Sequence, residues 1–195
     1  MEKILQLSQQ NQQKAWRIIE ESRILHIWKD IGAEANLVGS LKSGLMVSNL
    51  DIDIHIYSNP LLVSESFSAI SKFAENPAVK HIEYNNLVGT EEECIEWHVS
   101  YEDRNKEIWK FDLIHIRKGS AFDGYVEKVT EAIISALTLE TRNAILQIKY
   151  DMPDNEHATG IEIYRAVFEG GVRSYSEFAV WRKKHPFTGT LEWMP

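Results

Sequence analysis

Apolar residues recur at helical spacing through the first thirty residues. Ala15, Trp16, Ile18, Ile19, Leu25, Ile27 and Trp28 share one face among Gln, Lys, Arg and Glu, which predicts a single amphipathic helix. Asn36, Leu37 and Val38 then read as a short strand that runs into Gly39-Ser40. Ser43-Gly44 marks a turn, and residues 47–49 form a loop. From Leu50 the period changes to two. Leu50, Ile52, Ile54 and Ile56 point one way, and Asp51, Asp53, His55 and Tyr57 point the other, until Asn59-Pro60 ends the strand. A helix over 64–74 carries Phe67, Ile70 and Ala74 on one face, and 79–84 reads as a strand. Residues 94–101 and 107–116 form an antiparallel hairpin around the polar turn Glu102-Asp103-Arg104-Asn105-Lys106.

Beyond Gly119 the pattern is helical throughout. Helices are predicted over 124–137, 139–150 and 158–169, the last stopped by Gly170-Gly171. A final helix opens at the capping box Ser174-Tyr175-Ser176-Glu177 and runs to about Lys184. The pattern therefore predicts an α+β fold, a mixed β-sheet with flanking helices over residues 1–118, followed by a C-terminal helical bundle over 119–195. No repeat or long linker separates the halves, so they are expected to pack together.

Composition adds limits. At 195 residues, with 44% hydrophobic positions, the chain can bury a core without disulfides or a structural metal. Its one cysteine, Cys94, is expected to be a small buried side chain. The N-terminus lacks the basic start and apolar core of a signal peptide, and no apolar run approaches the roughly 20 residues that span a bilayer. A cytoplasmic protein with no membrane association is expected. The formal net charge of −8 repels a phosphate backbone, so long nucleic acid is disfavoured and a small, neutral or cationic partner is favoured. The basic run Arg182-Lys183-Lys184-His185 reads as a helix end offsetting the helix dipole.

Asp51 and Asp53 lie at i and i+2 of one strand, about 6–7 Å apart at the backbone on the same face. Two like charges about 4 Å apart repel by roughly 4 kcal/mol at an effective dielectric near 20. A bound Mg²⁺ or Mn²⁺ removes that penalty, since hard cations take carboxylate oxygens. Alone, the pair also fits the polar outer side of a half-solvated strand. Context shifts the balance. Gly39-Ser40 precedes the aspartates, Asp51 lying eleven residues on from Ser40, and such a pair offers bare backbone N–H groups and a hydroxyl to an anion. Asp112, set among Trp109, Phe111, Leu113 and Ile114, supplies a third carboxylate on a neighbouring strand. It needs either a metal or an ion pair with Lys110 or Lys118.

Val38-Gly39-Ser40, then Leu50-Asp51-Ile52-Asp53-Ile54, then Phe111-Asp112-Leu113 resembles the signature of the DNA polymerase β-like nucleotidyltransferase superfamily, in its small-molecule, antibiotic or minimal forms. The resemblance covers roughly residues 35 to 116. It implies that Asp51 and Asp53 bind two divalent ions with the NTP substrate, and that Asp112 completes the ion beside the acceptor hydroxyl and favours its deprotonation. It further implies that Gly39 and Ser40 hold the β and γ phosphates. Lys42-Ser43-Gly44 stands where many members carry a basic residue, a spacer and a glycine, although Lys42 replaces the frequent arginine. Leu45-Met46-Val47 is more apolar than the usual loop. A lysine from the helical half often meets the triphosphate in such enzymes, which marks Lys149, beside Arg142 and Tyr150, as the candidate here.

The expected activity is transfer of a nucleoside monophosphate from an NTP to a hydroxyl of a small molecule or of a protein, releasing pyrophosphate. The alternative is a non-catalytic nucleotide-binding or antitoxin-like interaction module that keeps the fold. His55, on the aspartate face, and His115, three residues after Asp112, are further candidates for substrate contact. The sequence leaves open the acceptor, the base and the oligomeric state.

Overall fold

The computed structural model describes residues 1–186 and 193–195. The alternation of residues 50–57 becomes strand β2 (Asp51–Ser58), an inner strand of a five-stranded mixed sheet. The others are β1 (Glu34–Leu37), β3 (Val79–Asn86), β4 (Cys94–Glu102) and β5 (Ile108–Arg117), in the order β1-β2-β5-β4-β3. Only β2 and β5 run parallel. The apolar faces of β2, β4 and β5, Ile52, Ile54 and Ile56 with Trp97, Val99, Phe111 and Leu113, bury against α1 (Glu2–Ser22), α2 (Ile24–Asp30) and α4 (Val63–Ala74). This is the α+β architecture, mixed sheet and flanking helices, that the periodicity predicts.

A second cluster joins Val129, Ile133, Ile145, Ile148, Ile163 and Phe178 from α5 (Tyr125–Ala136), α6 (Leu139–Asp151), α7 (Gly160–Phe168) and α8 (Tyr175–Lys184). Ile4 from the start of α1 and Leu45 and Val47 from the loop after α3 (Gly39–Lys42) enter it too. Helix α1 thus packs on both cores. Among the described residues no helix is long and apolar enough to cross a membrane.

Four local expectations differ from what is observed. The first helix breaks at Arg23, which adopts φ 56° and donates its backbone N–H to Glu20 O. A left-handed residue redirects the chain there although the apolar spacing continues past it. Trp16, expected on the buried face, is half exposed. On α4 the buried stripe is Ser66, Ala69, Ile70 and Phe73. Phe67 is therefore 45% exposed, its ring packed on Tyr84 and Trp97 at 4.8 Å each. Ser66 is buried because Trp97 Nε1 donates to its hydroxyl at 2.9 Å. At α8, Ser174 Oγ accepts from Glu177 N, but the Glu177 carboxylate accepts from Arg173 N. Complete capping boxes form instead at Thr138 and Thr159.

Candidate active site

The site follows from register. On β2, Asp51, Asp53 and His55 leave the apolar core by alternation. Parallel pairing sets Asp53 opposite Asp112 and Asp51 opposite Lys110. Antiparallel pairing then sets His98 of β4 opposite Asp112. All three aspartates line one cavity of about 420 Å³, closed by Gly39 and Ser40 on the β1 side and by Val129, Lys149 and Tyr164 from the helical half. A smaller cavity of about 220 Å³ shares Ser40, Asn49 and Lys149 with it and extends past Tyr150 toward Asp154 and Glu156.

Gly39 has a specific steric reason. Its φ is +69°, and a Cβ there would lie 2.1 Å from Asp53 Oδ2. Only a residue without a side chain lets the turn pass this close to the carboxylate. Val38 N donates to Asp53 O at 3.0 Å, so the turn is fastened to the strand that carries the aspartates.

The carboxylates are in an electrostatically poor setting. Burial first, then the charges of Asp112 and Asp51, push the Asp53 carboxyl up to about 7, with Lys149 and Lys110 opposing. Asp51 is raised by burial and by Asp112. Neither side chain makes a hydrogen bond or ion pair among the described residues. Asp112 differs. His98 Nδ1 lies 2.5 Å from its Oδ1, and Lys110 Nζ lies 3.0 Å from Oδ1 and 3.1 Å from Oδ2. Of the two lysines that could pair with Asp112, Lys110 does so, while Lys118 pairs with Glu34 at 3.0 Å.

Hard oxygen donors with uncompensated charge suit a divalent cation. Asp51 and Asp53 meet that description as they stand. Among the described residues no three acidic, histidine or cysteine side chains form a ready-made metal cluster. Asp112 would join a cation only by loosening its hold on Lys110.

The remaining sequence candidates fall in different places. Lys149 lines the cavity and donates to Leu45 O at 3.0 Å and to Tyr164 Oη at 3.1 Å. Ser40 lines both cavities. Lys42 points to Glu131 at 3.7 Å and is not in the wall. Arg142 donates to Gly44 O at 3.3 Å, and Tyr150 lies under Lys3, 5.8 Å from its ring centroid. His55 lines the cavity, with Nδ1 3.4 Å from Tyr57 Oη. His115 lies on the opposite, fully buried face, its Nε2 2.7 Å from Ser58 Oγ and its ring edge-on to Trp28. Three positions from Asp112 on a strand means opposite faces, which removes His115 from the site. Two residues escaped the sequence reading. His98 has no local signal, since only cross-strand register brings it to Asp112. Tyr164 reads as core in a helical pattern.

No family model and no curated protein matches the chain. Solved structures do. A mutant of the Cid1 poly(U) polymerase bound to MgATP superposes with a TM-score of 0.60 at 12% identity, covering 81% of this chain and 49% of that one. The MgGTP-bound Cid1 poly(U) polymerase gives 0.59 at 13% identity over 81% and 49%. The GLD-2/RNP-8 complex gives 0.51 at 11% identity over 100% and 73%. The chain therefore has the fold seen in the Cid1 poly(U) polymerase. The chain spans about half the length of the Cid1 structures it matches. At such identities the likeness is one of fold.

Proposed function

We propose that this chain transfers a nucleoside monophosphate from an NTP to a hydroxyl of a small-molecule acceptor, releasing pyrophosphate. The observation that carries this reading is the meeting of Asp51, Asp53 and Asp112 in one cavity beside the Gly39-Ser40 turn. Asp51 and Asp53 would hold Mg²⁺ or Mn²⁺, and Asp112 would complete the set. Such ions, when bound, supply the positive charge that offsets the triphosphate and the departing pyrophosphate.

The chain's own groups do the positioning. Gly39 and Ser40 would hold the terminal phosphates together with Lys149, whose partners are a carbonyl and a phenol rather than a carboxylate. Asp112 lies across β2 from the turn, where the acceptor approaches. The acceptor oxygen bonds the α-phosphorus as the α–β bridging oxygen leaves with pyrophosphate. The hydroxyl proton passes to the Asp112 carboxylate, which His98 holds in place once Lys110 has loosened. On this reading residues 1–118 are the catalytic core and 119–195 the helical subdomain that closes the cleft.

Charge supports a small neutral or cationic acceptor. The sheet face that continues from Asp112 carries Glu96 and His98 on β4 and Glu83 and Asn85 on β3, and the chain as a whole is at −8. Such a face repels a polynucleotide. Likeness to a poly(U) polymerase favours a second reading, in which the acceptor is the terminal hydroxyl of an RNA. Pyrophosphate release from Mg²⁺-NTP separates them. Release with polyamino or lincosamide-like alcohols and none with oligoribonucleotides supports the first reading. The reverse result supports the second, and release with a protein alone makes a protein hydroxyl the acceptor.

A further inference from the structure

The segment Gly44–Val47 joins the Gly39-Ser40 turn to the loop before β2. Leu45, Met46 and Val47 are fully buried in irregular backbone, where carbonyls have no ladder partner and must find donors elsewhere. Each of the four consecutive carbonyls has one from a side chain. Gly44 O accepts from Arg142 Nη2 at 3.3 Å and from Gln12 Nε2 at 3.4 Å. Leu45 O accepts from Lys149 Nζ, Met46 O from Ser8 Oγ at 2.6 Å, and Val47 O from Asn11 Nδ2 at 2.7 Å. Helix α1 therefore grips the segment from one side and α6 from the other.

The grip reaches the cavity wall. Leu45 N donates to Ser40 O at 2.8 Å, Gly44 N to Leu41 O at 3.2 Å, and Ser43 N to Gly39 O at 3.1 Å. A shift of residues 44–47 would carry Ser40 and Lys149 with it, because Lys149 holds Leu45 O while lining both cavities. Ser8 and Asn11 are themselves buried and stand outside the cavity wall.

We propose that Ser8 and Asn11 are positioning residues for the triphosphate end of the site, acting through the carbonyls of Met46 and Val47. The inference rests on the nucleotidyltransferase reading of the cavity and gives the N-terminal helix a part in substrate binding. A role of this kind moves nucleotide affinity, whereas ordinary packing moves only stability. Ile19 is the control, since it is buried on the same helix against the sheet core and touches none of these carbonyls.

The test compares wild type, Ser8→Ala/Asn11→Ala and Ile19→Ala at a temperature well below melting. Calorimetry measures binding of MgATP and MgUTP, and hydrogen exchange follows the Ser43, Gly44 and Leu45 amides. The expected result is affinity lower by roughly tenfold in the double variant, the scale on which supporting contacts act on a site. Ile19→Ala should keep wild-type affinity, and exchange at the three amides should rise only in the double variant. Unchanged affinity in the double variant overturns the proposal, as do equal losses in both variants. A wild type that binds neither nucleotide overturns the functional reading. In that case unchanged amide exchange in the double variant overturns the brace as well, and faster exchange leaves it standing as a structural device alone.

Discussion

The Asp53 carboxylate sits against the bare Cα of Gly39 and faces Asp51 and Asp112, so its surroundings tolerate neither bulk nor uncompensated charge. Gly39→Ala places a methyl 2.1 Å from Asp53 Oδ2 and also forces a left-handed φ on alanine, which costs about 1 kcal/mol or more. Its expected outcome is a lower melting temperature together with loss of Mg²⁺-NTP binding, checked by melting and by calorimetry. His115 yields a pH effect away from the aspartates. Burial pushes its imidazole down to about 4, whereas an unfolded histidine titrates near 6.5. As pH falls, the unfolded chain takes up this proton first. The fold therefore keeps its full stability above about 6.5 and loses it progressively down to about 4, by roughly 3 kcal/mol in all. His115→Leu should flatten that part of the stability profile in urea titrations at successive pH values, and an unchanged slope would contradict the assignment. Asp51 and Asp53 were legible because i, i+2 spacing on an alternating strand puts them on one face. Asp112 was legible because a carboxylate among aromatic residues needs a reason. His98 was not, because no local pattern encodes the β4–β5 register that brings it to Asp112.

At the level of elements, pairing between β2, β5 and β4 converts three separate sequence positions into one site. His98→Ala removes the imidazole from Asp112 while leaving the Gly39-Ser40 turn untouched. Turnover should fall by about 10- to 100-fold, as when other supporting partners of a reactive group are removed. NTP affinity should stay within about twofold, and steady-state kinetics with calorimetry separate the two. Helix boundaries were legible wherever apolar periodicity stopped with it, as at Gly170-Gly171. The break at Arg23 was hidden because apolar spacing runs on from Ile19 to Ile24 and Ile27. That break is strained for arginine, and Arg23→Gly should raise stability by up to about 1 kcal/mol in chemical denaturation. The apolar stretch Leu45-Met46-Val47, an oddity in sequence, has its reason in two cores and in the side chains that bind its carbonyls.

The whole molecule sets a sheet-based half and a helical half around one cleft, with α1 packed on both cores and a surface of net charge −8. Its fold class was legible from the change of period near Gly119, whereas the acceptor is not written in any local pattern. Three carboxylates around the cleft repel one another, so Asp51→Asn/Asp53→Asn should be at least as stable as wild type in the absence of metal. That makes it a folded control. The most direct measurement is calorimetric titration of ATP, GTP, CTP and UTP into wild type and this variant, with and without Mg²⁺. Binding of at least one nucleotide that requires Mg²⁺ and disappears in the variant is the predicted result. Binding that is indifferent to Mg²⁺ and to both substitutions would contradict the account, and so would a wild type that binds none of the four.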